Sequence, residues 1–151
     1  MAPIVGYHYG ANNQNELKNI FRKSLVIICT AAIIVTLLAE FTAAPIAKVF
    51  TGYDSSLCDL TTHAFRLYSI SFLICGINIF GSAFFTALGN GGVSAAISFM
   101  RTLLFQIICV FALPAIIKED GIWLAVAAAE LLSLAVTVLF LAKYRKRYQY
   151  A

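Results

Sequence analysis

The sequence predicts an all-α, polytopic membrane protein with four antiparallel transmembrane helices. Of the 151 residues, 61% are hydrophobic and only 12% are charged, whereas soluble domains carry about 25% charged residues. A soluble fold of this length has too little interior to hide so much apolar surface. The apolar residues fall into four runs, each long enough to cross a hydrocarbon core of about 30 Å. Only helices satisfy the backbone of such isolated spans in lipid.

The helix boundaries follow from capping and turn residues. Asn13 followed by Glu16 is typical of a capping box, so a helix should begin near Gln14. The membrane segments are expected at about 24–47, 64–88, 94–117 and 121–142. Short links at 51–56, 89–92 and 118–121 join them, which makes neighbouring helices antiparallel. The whole chain, 1–151, is expected to form a single, partial transmembrane domain with a cytoplasmic tail at 143–151.

The link at 89–92, Gly-Asn-Gly-Gly, superficially suggests a phosphate-binding loop. It lacks the following Lys-Ser or Lys-Thr and joins two membrane segments, so turn chemistry explains it better. His8, His63 and Cys58 are expected in loops, without partners at metal-ligand spacing. The sequence therefore predicts neither catalytic residues nor a metal site or cofactor, and the chain is not expected to be an enzyme.

The distribution of basic residues predicts the orientation. Eight of the 11 lie on one side: Lys18, Arg22, Lys23, Arg101, Lys143, Arg145, Lys146 and Arg147. Three lie on the other: Lys48, Arg66 and Lys118. The positive-inside rule places both termini in the cytoplasm of a plasma (inner) membrane protein. Arg101, about two turns into the third segment, is expected to extend its side chain to the interface. Aromatic residues should mark the two interfaces: Tyr144, Tyr148 and Tyr150 inside, and Trp123 outside.

Polar side chains inside the spans are the candidate functional residues, because each is costly in hydrocarbon. Glu130 is either a proton or cation relay or a buried carboxyl that is hydrogen-bonded to neighbouring helices. Ser71, Asn78 and Ser82 share one face of the second segment. Asn78 either lines a cavity or bridges two helices. Gln106 should face protein, and these five residues are the candidates for lining a substrate or cation cavity.

Two further patterns concern packing and the outer end of the bundle. Small residues recur at every fourth position of the fourth segment, a spacing that close helix packing in lipid uses; they are Ala125, Ala129, Ser133 and Thr137. Glu40, near the outer end of the first segment, is expected to reach water.

Several motifs, in order, resemble one family. Residues 3–11, Pro-Ile-Val-Gly-Tyr-His-Tyr-Gly-Ala, are similar to the signature P-(I/V)-V-G-Y-N-Y-G-A of the multidrug and toxic compound extrusion (MATE) transporters, with His8 in place of the commoner Asn. Residues 17–23 resemble the cytoplasmic loop that follows in the family. Residues 65–70, 78–80 and 87–91 resemble its tenth helix, and residues 121–130 the start of its last helix.

The resemblance implies part of the C-terminal lobe of a twelve-helix transporter, from the end of helix eight to helix twelve. Family members exchange Na⁺ or H⁺ for cationic, amphipathic drugs across a central cavity. Asn78 stands where some members carry a cation-binding Asp, and an amide cannot titrate. A coupling carboxylate would therefore lie in the missing lobe.

The leading hypothesis is thus a C-terminal fragment of a multidrug efflux antiporter that is inactive alone. Its expected partners are the lipid bilayer, a missing N-terminal lobe or partner chain and, in the intact transporter, small cationic drugs. Nucleic acid is not expected, because long apolar runs separate the basic residues. Two alternatives stay open: a small four-helix multidrug exporter working as a dimer, with Glu130 as its carboxylate, and a non-transport membrane assembly subunit.

Overall fold

The structure is a computed structural model that describes residues 2–150, and within this range it contains helices and no strand. Seven α-helices and one π-helical stretch follow one another along the described chain. They are α1 (Ala2–Gly10), α2 (Gln14–Thr51), α3 (Ser55–Ser69), α4 (Phe72–Ala87), α5 (Gly91–Phe99), the π stretch (Met100–Phe105), α6 (Gln106–Ile117) and α7 (Glu119–Tyr148).

Four continuous stretches of residues 2–150 are long and apolar enough to cross a membrane: Gln14–Thr51, Ser55–Ala87, Gly91–Ile117 and Glu119–Tyr148. The all-α, four-span prediction is therefore confirmed. At 1.5 Å per residue, the 38 residues of α2 extend about 57 Å, well beyond a hydrocarbon core of about 30 Å. Large apolar side chains point outward along these spans, with Phe41 80% and Phe111 77% exposed. The bilayer is the solvent that such side chains require.

The local signals at helix starts act as predicted. Asn13 Oδ1 accepts a hydrogen bond from the Glu16 backbone N–H at 3.2 Å, so α2 begins at Gln14. In the glycine-rich link, Gly89 adopts a positive φ of 77° and Asn90 Oδ1 accepts from the Val93 N–H at 3.2 Å. That link is a turn with a helix cap, which is the interpretation that its residues favour.

Three helical regions differ from the sequence-based expectation. Residues 2–10 form α1, although no helix is expected there. The helix that contains Cys58 and His63 begins at Ser55, where the Asp54 carboxylate accepts from the Ser56 and Leu57 N–H groups. The expectation that His8, Cys58 and His63 lie in loops is wrong. Similarly, α7 continues to Tyr148, so most of the expected tail is helical. Polar residues next to a span are typical of loops, but helices of membrane proteins extend into the interface, where such side chains are solvated.

The second membrane span is interrupted at Ile70 and Ser71, between α3 and α4. The Ser71 N–H bonds the Tyr68 carbonyl at 3.0 Å, a tighter turn than that of an α-helix. Two residues earlier, the Ser69 hydroxyl shares its one proton between the Arg66 carbonyl, at 2.7 Å, and the Glu40 carboxylate. A hydroxyl that bonds back to its own helix competes with the helical hydrogen bond and bends the helix. The break therefore has a local cause that involves neither proline nor glycine.

An aromatic cluster fills the end of the bundle where α1, the start of α2 and the end of α7 meet. The rings of Phe21, Phe84 and Tyr150 lie with centroids 4.9 to 5.1 Å apart. Tyr148 and Tyr150 are buried in this cluster, so neither serves simply as an interfacial marker. The Tyr150 hydroxyl donates to the Leu141 carbonyl at 2.6 Å, which folds the chain back onto α7.

The small-residue row of α7 faces inward, as predicted. Ala125, Ala129, Ser133 and Thr137 are each at most 1% exposed. On α4, a β-carbon at Gly81 would collide with Thr137 Cγ2. The backbones of α4 and α7 therefore approach closely at this point, as helices do in lipid when small residues meet.

Candidate functional site

Glu130 lies inside the bundle and is bound by a side chain from another span. Asn78 of α4 donates from Nδ2 to the Glu130 carbonyl at 2.9 Å and to Glu130 Oε2 at 2.7 Å. Asn78 is fully buried, and Glu130 is 6% exposed. Of the two interpretations of Asn78, the structure shows the bridge between two helices. The small-residue row places it there, because that row brings α4 and α7 into contact.

Arg101 completes this arrangement as the counter-charge of Glu130. Its Nε lies 2.8 Å from Oε1 and 3.0 Å from Oε2, and its Nη2 lies 2.8 Å from Oε1. A guanidinium that engages both carboxylate oxygens is the strong form of this ion pair. The expectation that Arg101 extends to the interface is wrong: its side chain turns into the bundle.

The π stretch helps to explain why Arg101 points inward. Arg101 and buried Cys109 both belong to the face that packs on α7. Eight residues apart, they would lie about 80° from each other around a regular α-helix. The wider turns of residues 100–105 remove much of that offset. Both side chains can therefore face α7 from one continuous span, and π-helical turns are frequent at functional sites.

Three oxygens of this region are buried and have no hydrogen-bond partner among residues 2–150. They are Asn78 Oδ1, Ser133 Oγ and Thr137 Oγ1. The orientation of the Asn78 amide is fixed, because Nδ2 faces two acceptors on Glu130. Its free oxygen is therefore an acceptor held inside the protein. Acceptors of this kind bind water, a donor or a cation, since burying them without a partner costs free energy.

The other candidate residues lie apart from this cluster. The Ser82 hydroxyl faces the third span, with Ser94 Oγ at 2.9 Å and Ser98 Oγ at 2.8 Å. Ser71 is buried at the break between α3 and α4. Gln106 is half-buried at the start of α6, and no hydrogen bond joins it to Glu130 within the described chain. Of the five candidates, the structure thus unites only Asn78 and Glu130.

Polar contacts also join the spans at the opposite end from the aromatic cluster. Glu40 of α2 accepts a hydrogen bond from the Ser69 hydroxyl and lies 3.7 Å from Arg66 Nε. His63 Nε2 lies 2.9 Å from Asp120 Oδ1, which links α3 to α7. The Glu40 side chain is 37% exposed, so it reaches water as expected, and it also engages α3. No group of three or more His, Cys, Asp or Glu that could hold a metal ion occurs in residues 2–150.

Sequence reasoning missed the partnership of Arg101 with Glu130. The orientation count assigned Arg101 to the interface because it lies near one end of its span. The useful signal was electrostatic: a carboxylate in the middle of a span needs a counter-charge, and Arg101 is a cation inside the adjoining span. Their pairing satisfies both groups at once.

Comparison with known proteins gives a match over most of the chain. A family model described as MatE matches residues 1–112. Asn78 and Arg101 lie inside the matched range, whereas Glu130 lies beyond it. No curated protein and no solved structure matches the chain.

Proposed function

Since the chain belongs to the MatE family of multidrug and toxic compound extrusion proteins, we propose that it forms part of a multidrug efflux antiporter. The antiporter exchanges Na⁺ or H⁺ for cationic, amphipathic compounds. The observation that carries this proposal is the family match over residues 1–112, on a chain with four spans of membrane length within its described residues. The family consists of transporters, so no catalytic role is assigned to any residue.

The chain does not transport by itself in this proposal. The resemblance implies twelve helices around a central cavity, and residues 2–150 supply four helices long enough to cross a membrane. The remaining cavity wall belongs to the first lobe and to helices seven and eight, supplied by a longer chain or by a partner chain. Substrate and coupling ion meet the present helices only when that lobe is in place.

Within this transporter part, Glu130 acts as a positioning residue and not as a proton carrier. Arg101 holds its carboxylate with short contacts from two nitrogens. Both carboxylate oxygens are engaged by protein donors, since Asn78 Nδ2 also bonds Oε2. The pair instead fixes the third span against α7 and orients Asn78.

Cation contact is assigned to Asn78 Oδ1, beside this pair, and to the buried hydroxyls one and two turns after Glu130 on α7. Asn78 Oδ1, Ser133 Oγ and Thr137 Oγ1 are buried acceptors without partners in the described chain. Amide and hydroxyl oxygens suit a hard cation such as Na⁺, but none of them releases a proton in the physiological pH range. A carboxylate that couples transport to protons therefore belongs to the first lobe.

The ion pair also weakens the case for a small dimeric exporter. Such a protein needs a membrane carboxylate that is free to bind the substrate or a proton, and Glu130 is engaged by Arg101 and Asn78. A non-transport assembly subunit remains the second candidate, and it predicts a stable complex without export.

Export of ethidium from drug-sensitive cells tests the proposal. Cells that express the 151-residue chain alone should show no export, and co-expression of the first eight helices of a family member should restore it. Asn78→Ala should then abolish the restored export. Ile79→Ala is the matched control, because the neighbouring Ile79 side chain is 52% exposed and makes no hydrogen bond to Glu130. Cation-driven export by the chain alone would contradict the proposal, and absence of export in every combination would favour the assembly subunit.

Cysteine labelling tests the proposed orientation, with both termini in the cytoplasm of the plasma (inner) membrane. In a variant without the four native cysteines, Lys146→Cys should be protected from a membrane-impermeant maleimide added to intact cells. Lys118→Cys, which is also exposed but lies at the opposite end of α7, should be labelled. The reverse pattern would refute the orientation.

A further inference from the structure

Basic side chains line an open groove at the end of the bundle where α2 begins and α7 ends. The groove has a volume of about 930 Å³ and is lined by Lys18, Ala142, Lys143, Arg145, Lys146 and Gln149. Its four cationic side chains are all exposed. The ion pairs found in residues 2–150 involve none of them. The groove therefore concentrates positive charge that the described residues do not neutralise.

The backbone that carries these charges is held in place from several sides. Gln149 ends α7 with a positive φ of 53°, and the chain then turns back onto the helix. Tyr150 is 1% exposed, and its hydroxyl bonds the Leu141 carbonyl. The Tyr148 hydroxyl accepts a hydrogen bond from Asn90 Nδ2 at 3.1 Å. The groove is thus formed before any ligand arrives, which lowers the entropy cost of binding.

The groove lies directly beside exposed apolar surface on helices of membrane length. Leu139 is 67% exposed and precedes Lys143 by one turn and Lys146 by two turns on the same helix face. An adjacent depression on α2 repeats this arrangement. It is lined by Asn19, Arg22, Lys23, Val26 and Ile27, so polar and basic side chains are followed by apolar ones. A ligand that matches both parts is an anion attached to hydrocarbon.

We propose that this groove binds the phosphate of an anionic phospholipid, with the acyl chains lying along Leu139 and the exposed apolar side chains of α2. Free phosphate shares the charge but would leave the apolar surface unused. Basic pockets between helices at a membrane surface recognise anionic lipid head groups by this combination of charge and depth. The inference requires neither transport activity nor a particular orientation, because the groove meets one leaflet in either case.

Spin-labelled lipids measure this binding directly. The 151-residue chain is reconstituted in phosphatidylcholine vesicles that contain a trace of spin-labelled phosphatidylglycerol or phosphatidylcholine, and the motionally restricted fraction of each label gives the lipid preference. The groove variant is Lys143→Gln with Lys146→Gln. The control variant, Lys48→Gln with Lys118→Gln, removes the same charge at two exposed lysines of the opposite end.

The native chain should prefer phosphatidylglycerol. The groove variant should lose that preference by roughly fivefold or more, since each surface lysine contributes about this factor. The control variant should change it by less than about twofold. Raising NaCl from 0.05 to 0.5 M should weaken the preference of the native chain, which tests the charge contribution without any substitution.

Three results would overturn the proposal. The native chain could show no preference for the anionic lipid. Both variants could lose the preference equally, which would assign it to net charge and not to the groove. Inorganic phosphate at millimolar concentration could displace the labelled lipid at constant ionic strength, which would identify a site for a free anion.

Discussion

Removal of one charge from the Arg101–Glu130 pair should destabilise the fold far more than removal of both. Arg101→Met leaves the Glu130 carboxylate in the bundle with only Asn78 as a side-chain donor. Glu130→Gln leaves the guanidinium without a counter-charge, although the amide can still accept from Asn78. The double variant carries no charge at either position. The three variants and the native protein form a double-mutant cycle that isolates the interaction of the pair.

The burial of the two side chains sets the expected magnitude. Breaking a buried ion pair by removing one partner costs about 3–5 kcal/mol. The Glu130 side chain is 8% exposed and the Arg101 side chain 23% exposed, so Arg101→Met should cost about 3 kcal/mol, at the lower end of that range. Glu130→Gln should cost somewhat less, because the guanidinium has more access to solvent. The double variant should lie within about 1.5 kcal/mol of the native protein, since no uncompensated charge remains.

Reversible unfolding in mixed micelles measures these differences. The chain is folded in a mild detergent and titrated with dodecyl sulfate, and helicity and Trp123 fluorescence are followed together. The two single costs less the cost of the double variant should give a coupling free energy of about 4 kcal/mol. A double variant as unstable as Arg101→Met, or single variants indistinguishable from the native protein, would refute the reasoning that the pair is a closed electrostatic unit.

Three further predictions concern packing, the chain end and the hydroxyl cluster. Gly81→Leu should destabilise the protein in the same titration by about 2 kcal/mol or more, because the added side chain collides with Thr137; Gly91→Ala, at a position with open space, should have little effect. Burial raises the pKa of Tyr150 to about 12, above its unfolded value of about 10, so its stabilising contribution should be intact below pH 10 and lost as the pH rises towards 12. Absorbance at 295 nm should show this late ionisation, and Tyr150→Phe should remove it; a normal titration of Tyr150 would contradict the burial. Ser82→Ala should cost about 1 kcal/mol, since two hydroxyl partners are lost, and an unchanged midpoint would show that these bonds contribute nothing net.

Local conformation could be predicted from the sequence wherever a single residue type determines it. Asn13 caps α2, Gly89 supplies the positive φ of its turn, and the small-residue row of α7 is buried as its spacing predicts. The four spans follow from hydropathy alone, because lipid leaves helices as the way to satisfy an isolated backbone segment. These features depend on neighbours in sequence and not on neighbours in space.

The missed features depend on the environment. The α1 helix is short and rich in Gly and Tyr, and it is stabilised by packing of Val5 in the aromatic cluster. The start of α3 at Ser55 could not be predicted from hydropathy, because the residues there are polar and solvated at the interface. Arg101 required knowledge of which spans are adjacent. Periodicity places a side chain on a helix face, but it does not say which helix meets that face.

The candidate site was partly predictable for the same reason. Asn78 and Glu130 were selected individually, since polar atoms in hydrocarbon need partners. That they bond each other follows only once α4 and α7 are known to touch. The sequence also could not predict that Ser71, Ser82 and Gln106 lie apart from this pair. Ser71 lies at the break between α3 and α4, and Ser82 contacts the third span.

The interruption of the second span determines where this bundle bends most easily. Hydrogen bonds from Asn78 to Glu130 join α4 to α7, and at Gly81 the two helices are too close to admit a β-carbon. Bending either helix in this region would therefore strain many contacts at once. At Ile70–Ser71 the regular ladder is already broken, whereas the Arg101–Glu130 pair holds the π stretch against α7. Bending should therefore concentrate at Ile70–Ser71, and α4 and α7 should move together as one rigid unit.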